Sequence, residues 1–402
     1  MTSPGALISL AQAQARLLAL AKISSPVSLP LAQASGHVLA QPLVATRNQP
    51  AADLSAMDGY AVCWRDMPGP WRIIGESAAG QPFTGSLGAG QAVRISTGAL
   101  VPDGADAILV QEDCQRDGDQ LALSGDGPAS QGAHIRRKGH DFSSDAVLAE
   151  TGTRIDARLI ALAAMAGHGT LCVQRPVRVA ILSTGDELVQ PGETLPTLAH
   201  IPASNGVMLA AMLSGLPVEL QLPQMLPDRL DAIGAALTHH RSADIIVTTG
   251  GASVGDHDLV QPALREQGGK VDFWRIAMRP GKPVMVATLG DAIVLGLPGN
   301  PVSAYVTALL LLLPLVRKLA GIGNVFPSAC DGIAGAHFPA NGARQDFMRA
   351  RFAGGALVPV DNQDSGALRG LLAADALLIR APYQEAKRPG DTVHYIPLND
   401  GA

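Results

Sequence analysis

Positive charge is scarce in this sequence. Thirty Lys and Arg stand against 35 Asp and Glu, a net charge of −5, so there is no basic field to recruit nucleic-acid phosphates. The one dense cluster, Arg136-Arg137-Lys138, is short and reads as a solvated loop. Cysteine is as sparse: Cys63, Cys114, Cys172 and Cys330 form no Cys-x-x-Cys pair, so neither a zinc ribbon nor a thioredoxin motif is supported, and a Cys–His metal site assembled by the fold has no sequence support. The N-terminus shows no basic segment leading into an apolar core, so no signal peptide is expected and a reducing cytoplasm fits. The most apolar run, residues 302–316, is shorter than a membrane span and contains Pro314; it reads as a buried helix packed on a sheet. Internal repeats and low-complexity segments are lacking too. Aromatic and charged residues are few, at 3% and 16%, whereas a hydrophobic content of 47% supports well-packed globular domains.

At 402 residues the chain exceeds one typical core, so roughly two to four domains are expected. Abundant glycine (44) and proline (29) imply many turns, hence β structure outside any α/β part. Residues 7–20 have helical spacing, with Leu7, Leu10, Leu17 and Leu18 on one face, as in a docking or dimer helix. From about 49 to 141, short apolar runs (71–74, 92–95, 107–110, 121–123) alternate with glycine-rich turns, the texture of a compact β domain. Residues 155–166 read as a helix ended by Gly167-His168-Gly169, with His168 a turn residue.

Residues 177 to about 320 alternate strands and helices. Strand 177–183 leads to a helix beginning near Ser204-Asn205, where either side chain can cap. Asp228, another natural cap, precedes a helix at 229–240. Strand 245–249, helix 259–267 and strands 284–287 and 292–296 follow, and the last helix starts at Pro301, a favoured first-turn position. This pattern predicts a mostly parallel sheet in a three-layer sandwich. From about 324 onward the chain is strand-like again and is expected to form a small separate β domain.

The segment from Asp244 to Asp258 carries the most chemistry. A short apolar strand runs into small residues, Gly250-Gly251-Ala252-Ser253, and ends in Asp256 and Asp258. Glycines let backbone amides approach an anion, and the acids offer hard oxygen ligands for Mg²⁺, the usual companion of phosphate. Such a loop belongs at the carboxyl end of a strand, where open α/β sheets bind ligands. Arg178 to Leu188 repeats the design, with Thr184 and Gly185 before Asp186 and Glu187. Met278-Arg279-Pro280-Gly281-Lys282-Pro283 adds two cations, and Leu297-Pro298-Gly299-Asn300-Pro301 leads into the apolar helix at Ser303. Four such loops in about 125 residues point to one site for a phosphorylated ligand with a metal.

These motifs resemble the molybdopterin molybdenumtransferases, called MoeA in bacteria and related to the E domain of gephyrin. The resemblance spans essentially the whole chain. It rests on Ser55-Ala-Met-Asp-Gly-Tyr-Ala61, Arg94-Ile-Ser-Thr-Gly-Ala99, Pro102-Asp-Gly-Ala-Asp-Ala107, Ser183-Thr-Gly-Asp-Glu-Leu188, Gly250-Gly-Ala-Ser-Val-Gly255, Arg279-Pro-Gly-Lys-Pro283 and Leu297-Pro-Gly-Asn-Pro-Val-Ser303. It implies an α/β multidomain fold. A three-layer α/β/α molybdopterin-binding domain (175–322) would stand with two β-rich domains, 49–141 and a barrel-like 323–402. An elongated discontinuous dimerisation domain (1–48 and 142–174) would complete it. It also implies insertion of molybdate into adenylylated molybdopterin with Mg²⁺, releasing AMP and the molybdenum cofactor. The enzyme would be a homodimer whose active site lies between one subunit's α/β domain and its partner's β domain. Further expected partners are the molybdopterin adenylyltransferase and downstream molybdoenzymes or their chaperones, with neither nucleic acid nor membrane.

By this resemblance Glu187, Asp228 and Asp258 lie near the metal and nucleotide, with Asp186 and Asp256 as adjacent alternatives. Thr184, Gly185, Gly250, Gly251, Ser253, Pro280, Gly281 and Pro283 belong to substrate-binding loops. Lys282, Arg279 and Arg275 supply charge for molybdate, and Ser303 sits where helix amides favour an anion. Arg349 and Ser365 would complete the oxyanion pocket from the C-terminal domain, with Arg344 a competitor and a surface strand charge the plain alternative for Arg349. Asp58, Thr97 and Asp141 would come from the partner's β domain. Members often carry lysine where this chain has Arg275 and Arg279; arginine donates a planar fork instead. Ala203 replaces a usual polar residue, and Asp145 a usual glycine. Two other functions are weighed: a gephyrin-like scaffold, and an adenylyltransferase acting one step earlier. The missing adenylating domain and linker count against the first, the extra β domains and the Pro-Gly-Lys-Pro loop against the second.

Overall fold

A computed structural model describes residues 7–250 and 259–398. Its largest unit is an eight-stranded sheet. The central strands Val177–Thr184, Ile245–Thr249 and Ala292–Leu297 are parallel and almost wholly buried, because helices cover both faces and leave no polar side. Val177, Val179 and Ile181 point to one core with the helices Ser204–Leu213 and Pro301–Leu319. Ala180 and Leu182 point to the other, with Leu230–His239 and Val260–Glu266. The period of two along the strand thus builds the three layers.

Register decides where the site lies. Ser183 pairs with Thr249, and Thr249 with Leu297, so three strands end at one edge. The next strand, Pro283–Leu289, is antiparallel, with Met285 opposite Gly296. Its entry therefore lies at that same edge. Strand Lys270–Ile276, which periodicity alone had not shown, runs antiparallel to it and exits there too. The sheet is mostly parallel, as expected, but this hairpin is the exception that brings the Met278–Pro283 loop to the ligand edge.

The N-terminus departs from expectation. Leu7 is not helical: Leu7–Ile8 extend the α/β sheet beside Arg275–Ile276. Ser9 then caps helix Leu10–Leu20 through a reciprocal box with Gln12. Its buried face is Leu10, Ala13 and Leu17, while Leu18 lies off it. That face docks on the helix ending at Leu319 in its own chain. Pro314 has no N–H to offer the Leu310 carbonyl four residues back, and Gln14 Nε2 donates to that carbonyl at 2.9 Å. The apolar run is thus a core helix, with one π turn at Ala308–Leu312 ahead of the proline.

Two separated segments fold together beside this unit. Pro26–Pro30 pairs with Thr170–Gln174, and Leu43–Val44 with Val147–Ala149. Ala34, Leu39, Ile155, Leu159 and Val173 form their shared core. Asp156 caps helix Ala157–Met165, and the ring of His168 meets the Val44 carbonyl at 2.7 Å. The β domain is a six-stranded sheet holding all four expected strands. Gly59–Val62 adds a strand between two of them, and a Cβ on Gly59 would lie 1.8 Å from the Leu109 carbonyl oxygen.

The C-terminal sheet is not separate. Met278–Arg279, from the α/β domain, forms its edge strand, parallel to Gln345–Asp346. Gln345 N donates to the Ala277 carbonyl at 2.8 Å. Main-chain bonds across this seam fix the C-terminal domain against the ligand edge.

Leu17→Ala tests the docking of the N-terminal helix. Leu17 is 1% exposed in the α/β core, so the variant should lose about 2–5 kcal/mol in denaturant unfolding. A loss well under 1 kcal/mol would show that the helix contributes little to that core.

Candidate active site

Two adjoining cavities open at the strand ends. The larger, about 830 Å³, is lined by Thr184, Glu187, Asn205, Thr249, Gly250 and Pro283 from the α/β domain and by Gly366 and Leu368 from the C-terminal one. The smaller, about 390 Å³, brings together Arg279, Pro280, Gly281, Lys282, Ser303, Arg344, Arg349 and Ser365. Consecutive residues line both, Lys282 with Pro283 and Ser365 with Gly366. Asn300 Nδ2 donates to Ser365 Oγ at 3.0 Å, tying the two domains where the cavities meet.

The larger cavity is built by close backbone approach. Gly250 has φ +86, and a Cβ there would stand 2.7 Å from the Thr184 carbonyl oxygen. Gly185 has φ +150, and a Cβ would meet Glu187 Oε2 at 2.3 Å, so glycine lets the Glu187 carboxylate fold back over its own turn. The neighbouring acids then separate. Glu187 lines the cavity, whereas Asp186 Oδ1 accepts from Asp228 N at 3.0 Å. Thr249 Oγ1 donates to Ser183 Oγ at 3.0 Å, a buried hydroxyl pair on the cavity wall.

Two capping expectations are corrected here. Helix Ser204–Leu213 starts after Ala203 with no side-chain cap, and Asn205 Nδ2 instead donates to the Gly299 carbonyl at 2.7 Å. Helix Leu230–His239 starts after Arg229, also without a side-chain cap. Asp228 is therefore not its N-cap; it is exposed on the loop held by Asp186 and lines neither cavity. Gly251, Ser253, Asp256 and Asp258 lie outside the described residues.

In the smaller cavity Arg349 is 2% exposed, which excludes a surface charge. Its guanidinium donates to the carbonyls of Ala367 (3.1 Å) and Asp364 (3.0 Å). Burial pulls its pKa below the ordinary arginine value, against the opposing charge of Asp364. Among the described residues no carboxylate forms an ion pair with Arg349 or Lys282. Arg279 differs: its Nε donates to Asp346 Oδ1 at 3.1 Å and its Nη2 to Asp346 Oδ2. That hydrogen bond raises its pKa further, so its charge is already met. Arg275 stands opposite Pro283 on the neighbouring strand but lines neither cavity.

Asp58 and Thr97 come together, with Thr97 N donating to Asp58 Oδ1 at 2.8 Å. Arg94 steadies the adjoining turn, donating to the Gly59 carbonyl (2.9 Å) and Gln111 Oε1 (2.7 Å) above the Tyr60 ring. Both residues, and Asp141, are exposed and line neither of these cavities. The sequence assigned no site role to Asn205, Asn300 or Asp346. Asn300 stands in the Pro-Gly-Asn-Pro loop, and Asp346 three residues before Arg349, and those neighbours were the available signal.

An α/β domain with a glycine-walled cavity at its strand ends, joined to a cation-bearing β domain, defines a multidomain α/β protein whose paired cavities are built to take a small-molecule ligand. Three family models match: "MoeA N-terminal region (domain I and II)" over residues 8–167, "Probable molybdopterin binding domain" over 180–318 and "MoeA C-terminal region (domain IV)" over 331–398. The molybdopterin molybdenumtransferase of Haemophilus influenzae is 37% identical over 320 residues, covering 77% of each chain. Molybdopterin molybdenumtransferase 2 of Mycobacterium tuberculosis is 33% identical over 368 residues, 88% of this chain and 90% of that one. The crystal structure of the MoeA molybdopterin biosynthesis protein from Pyrococcus horikoshii superposes with a TM-score of 0.85 at 27% identity, over 98% of this chain and 100% of that one. The chain belongs to the MoeA family of molybdopterin molybdenumtransferases.

Gly250→Ala should cost roughly 1–3 kcal/mol, because the new Cβ meets the Thr184 carbonyl in a conformation that disfavours side chains. Unfolding midpoints check this, and an unchanged midpoint would show that the strand ends are not in close contact.

Proposed function

We propose that this enzyme inserts molybdate into adenylylated molybdopterin, releasing AMP and forming the molybdenum cofactor. The observation that carries the reading is the pair of adjoining cavities with unlike chemistry. The larger offers glycine turns, hydroxyls and one carboxylate, suited to a pyrophosphate-bearing pterin nucleotide. The smaller offers Lys282, Arg349 and Ser365, suited to a dianion.

Magnesium is held by one or two carboxylates together with substrate phosphate oxygens. Glu187, in the cavity, supplies one such carboxylate; Asp228, on the loop anchored by Asp186, is the second proposed member, and no group of three such ligands occurs among the described residues. Asp258 is the third proposed member. Bound there, Mg²⁺ would polarise the pyrophosphate and neutralise the departing AMP. Thr184, Gly185 and Gly250 present backbone groups to the phosphates, and Gly251 and Ser253, which follow in sequence, are proposed to share that role. Ser365 Oγ accepts from Asn300, which leaves its own proton for an oxyanion. Lys282 brings its charge on a flexible stem, while Arg349, fixed by two carbonyls, holds its charge in place.

The dimer belongs to this proposal. Asp58, Thr97 and Asp141 lie outside these two cavities, and a partner subunit would present them to the α/β edge. The domains follow as 1–48 with 142–174 for dimerisation, 49–141 facing the partner, 175–322 for the pterin and 323–402 closing the anion cavity. Within that division, residues 7–20 pack on the α/β core.

The deciding experiment incubates the protein with adenylylated molybdopterin, molybdate and Mg²⁺. AMP release supports the proposal; consumption of ATP with free molybdopterin would replace it with adenylyl transfer. Glu187→Gln keeps shape and removes charge, so Mg²⁺-dependent AMP release should fall by about 10² or more. An unchanged rate with unchanged Mg²⁺ dependence would remove Glu187 from the metal site.

Ser365→Ala removes a hydrogen bond to a charged ligand, worth roughly 1.5–3 kcal/mol. Apparent molybdate affinity should drop about 10- to 150-fold, while the pterin nucleotide binds nearly as before. Separate titrations distinguish the two, and joint weakening would mean that the C-terminal domain positions the whole site.

A further inference from the structure

The cation-lined cavity contains a carboxylate that an anion would avoid. Asp346 is 5% exposed and lines that cavity. Left unpaired, it would repel an incoming oxyanion. Arg279 meets it with both fork nitrogens, Nε to Oδ1 at 3.1 Å and Nη2 to Oδ2. The pair stands on the seam where Met278–Arg279 joins Gln345–Asp346. Other charges face Asp346 less directly. Arg380 lies opposite it on the adjacent strand, but donates to Gln384 Oε1 (2.9 Å) and the Pro339 carbonyl (2.7 Å). Lys282, Arg344, Arg349 and Asp364 surround the cavity. Among the described residues only Arg279 forms an ion pair with Asp346.

We propose that Arg279 is a positioning residue of the anion cavity rather than a ligand of the anion. It neutralises Asp346 and so keeps the cavity attractive to an oxyanion, leaving Lys282 and Arg349 to meet the substrate. This rests on the anion-cavity reading above. Arginine suits the task because its planar fork matches a carboxylate with two parallel bonds, which lysine cannot do.

The test is a double-mutant cycle on the full chain, with molybdate alone as the calorimetric probe. Arg279→Ala should weaken molybdate binding roughly tenfold, since removing one partner leaves the other charge uncompensated; the 59% exposure of the Arg279 side chain screens the effect. Adding Asp346→Asn to that variant should restore affinity to within about threefold of the unmodified protein. Arg279→Lys, which keeps charge but loses the fork, should fall between. If the loss persists in the double variant, Arg279 is a direct ligand and the proposal fails. Should Arg279→Ala lose its near-ultraviolet circular dichroism, Asp346→Asn alone decides. Unchanged or tighter molybdate binding supports the proposal, and a tenfold loss overturns it. Failure of the unmodified protein to bind molybdate at all would overturn the cavity reading itself, together with this inference.

Discussion

The site depends on one reversal of strand direction. Val177–Thr184, Ile245–Thr249 and Ala292–Leu297 run parallel and leave their exit loops at a single edge. A further parallel strand would have placed its entry loop at the far edge, one sheet length away. Pro283–Leu289 runs antiparallel, so its entry loop, with Pro280, Gly281 and Lys282, joins the exits. Because Lys270–Ile276 is also antiparallel to it, Met278–Arg279 emerge there as a short free strand. That strand captures the C-terminal sheet, and the sheet in turn brings Arg349 and Ser365 over the edge.

Two binding chemistries then sit side by side without merging. The larger cavity works by close approach: glycines at positive φ bring Thr184 and Glu187 to its wall, where a side chain at either glycine would collide. The smaller works by charge. Its fixed cation, Arg349, is buried and committed to two carbonyls, while Lys282 is half-buried and unpaired among the described residues. A fixed charge thus stands beside a flexible one. The Asn300–Ser365 hydrogen bond marks the boundary between the two.

Much of this was legible in the sequence. Seven motifs in family order identified the chain, and apolar runs located the central strands and the core helix from Pro301. The strands ending in Thr184 and Thr249 were visible because burial on both faces demands continuous aliphatic residues. Leu7 was misread because two residues of edge strand carry no periodicity of their own. The strand 270–276 was missed, and with it the reversal on which the site depends.

What the sequence by itself determined was the family, the layered α/β core and the inventory of loops able to hold phosphates and anions. These follow from local composition, since a glycine turn, a cation loop and a buried apolar strand each have a recognisable residue pattern. Tertiary structure alone decided which of two adjacent acids enters the cavity, Glu187 rather than Asp186, because loop neighbours diverge according to what lies beneath them. It also decided that Arg279 answers Asp346, 67 residues away in the chain. A charge's partner is fixed by distance in space, and distance is set only when the two domains are seamed together.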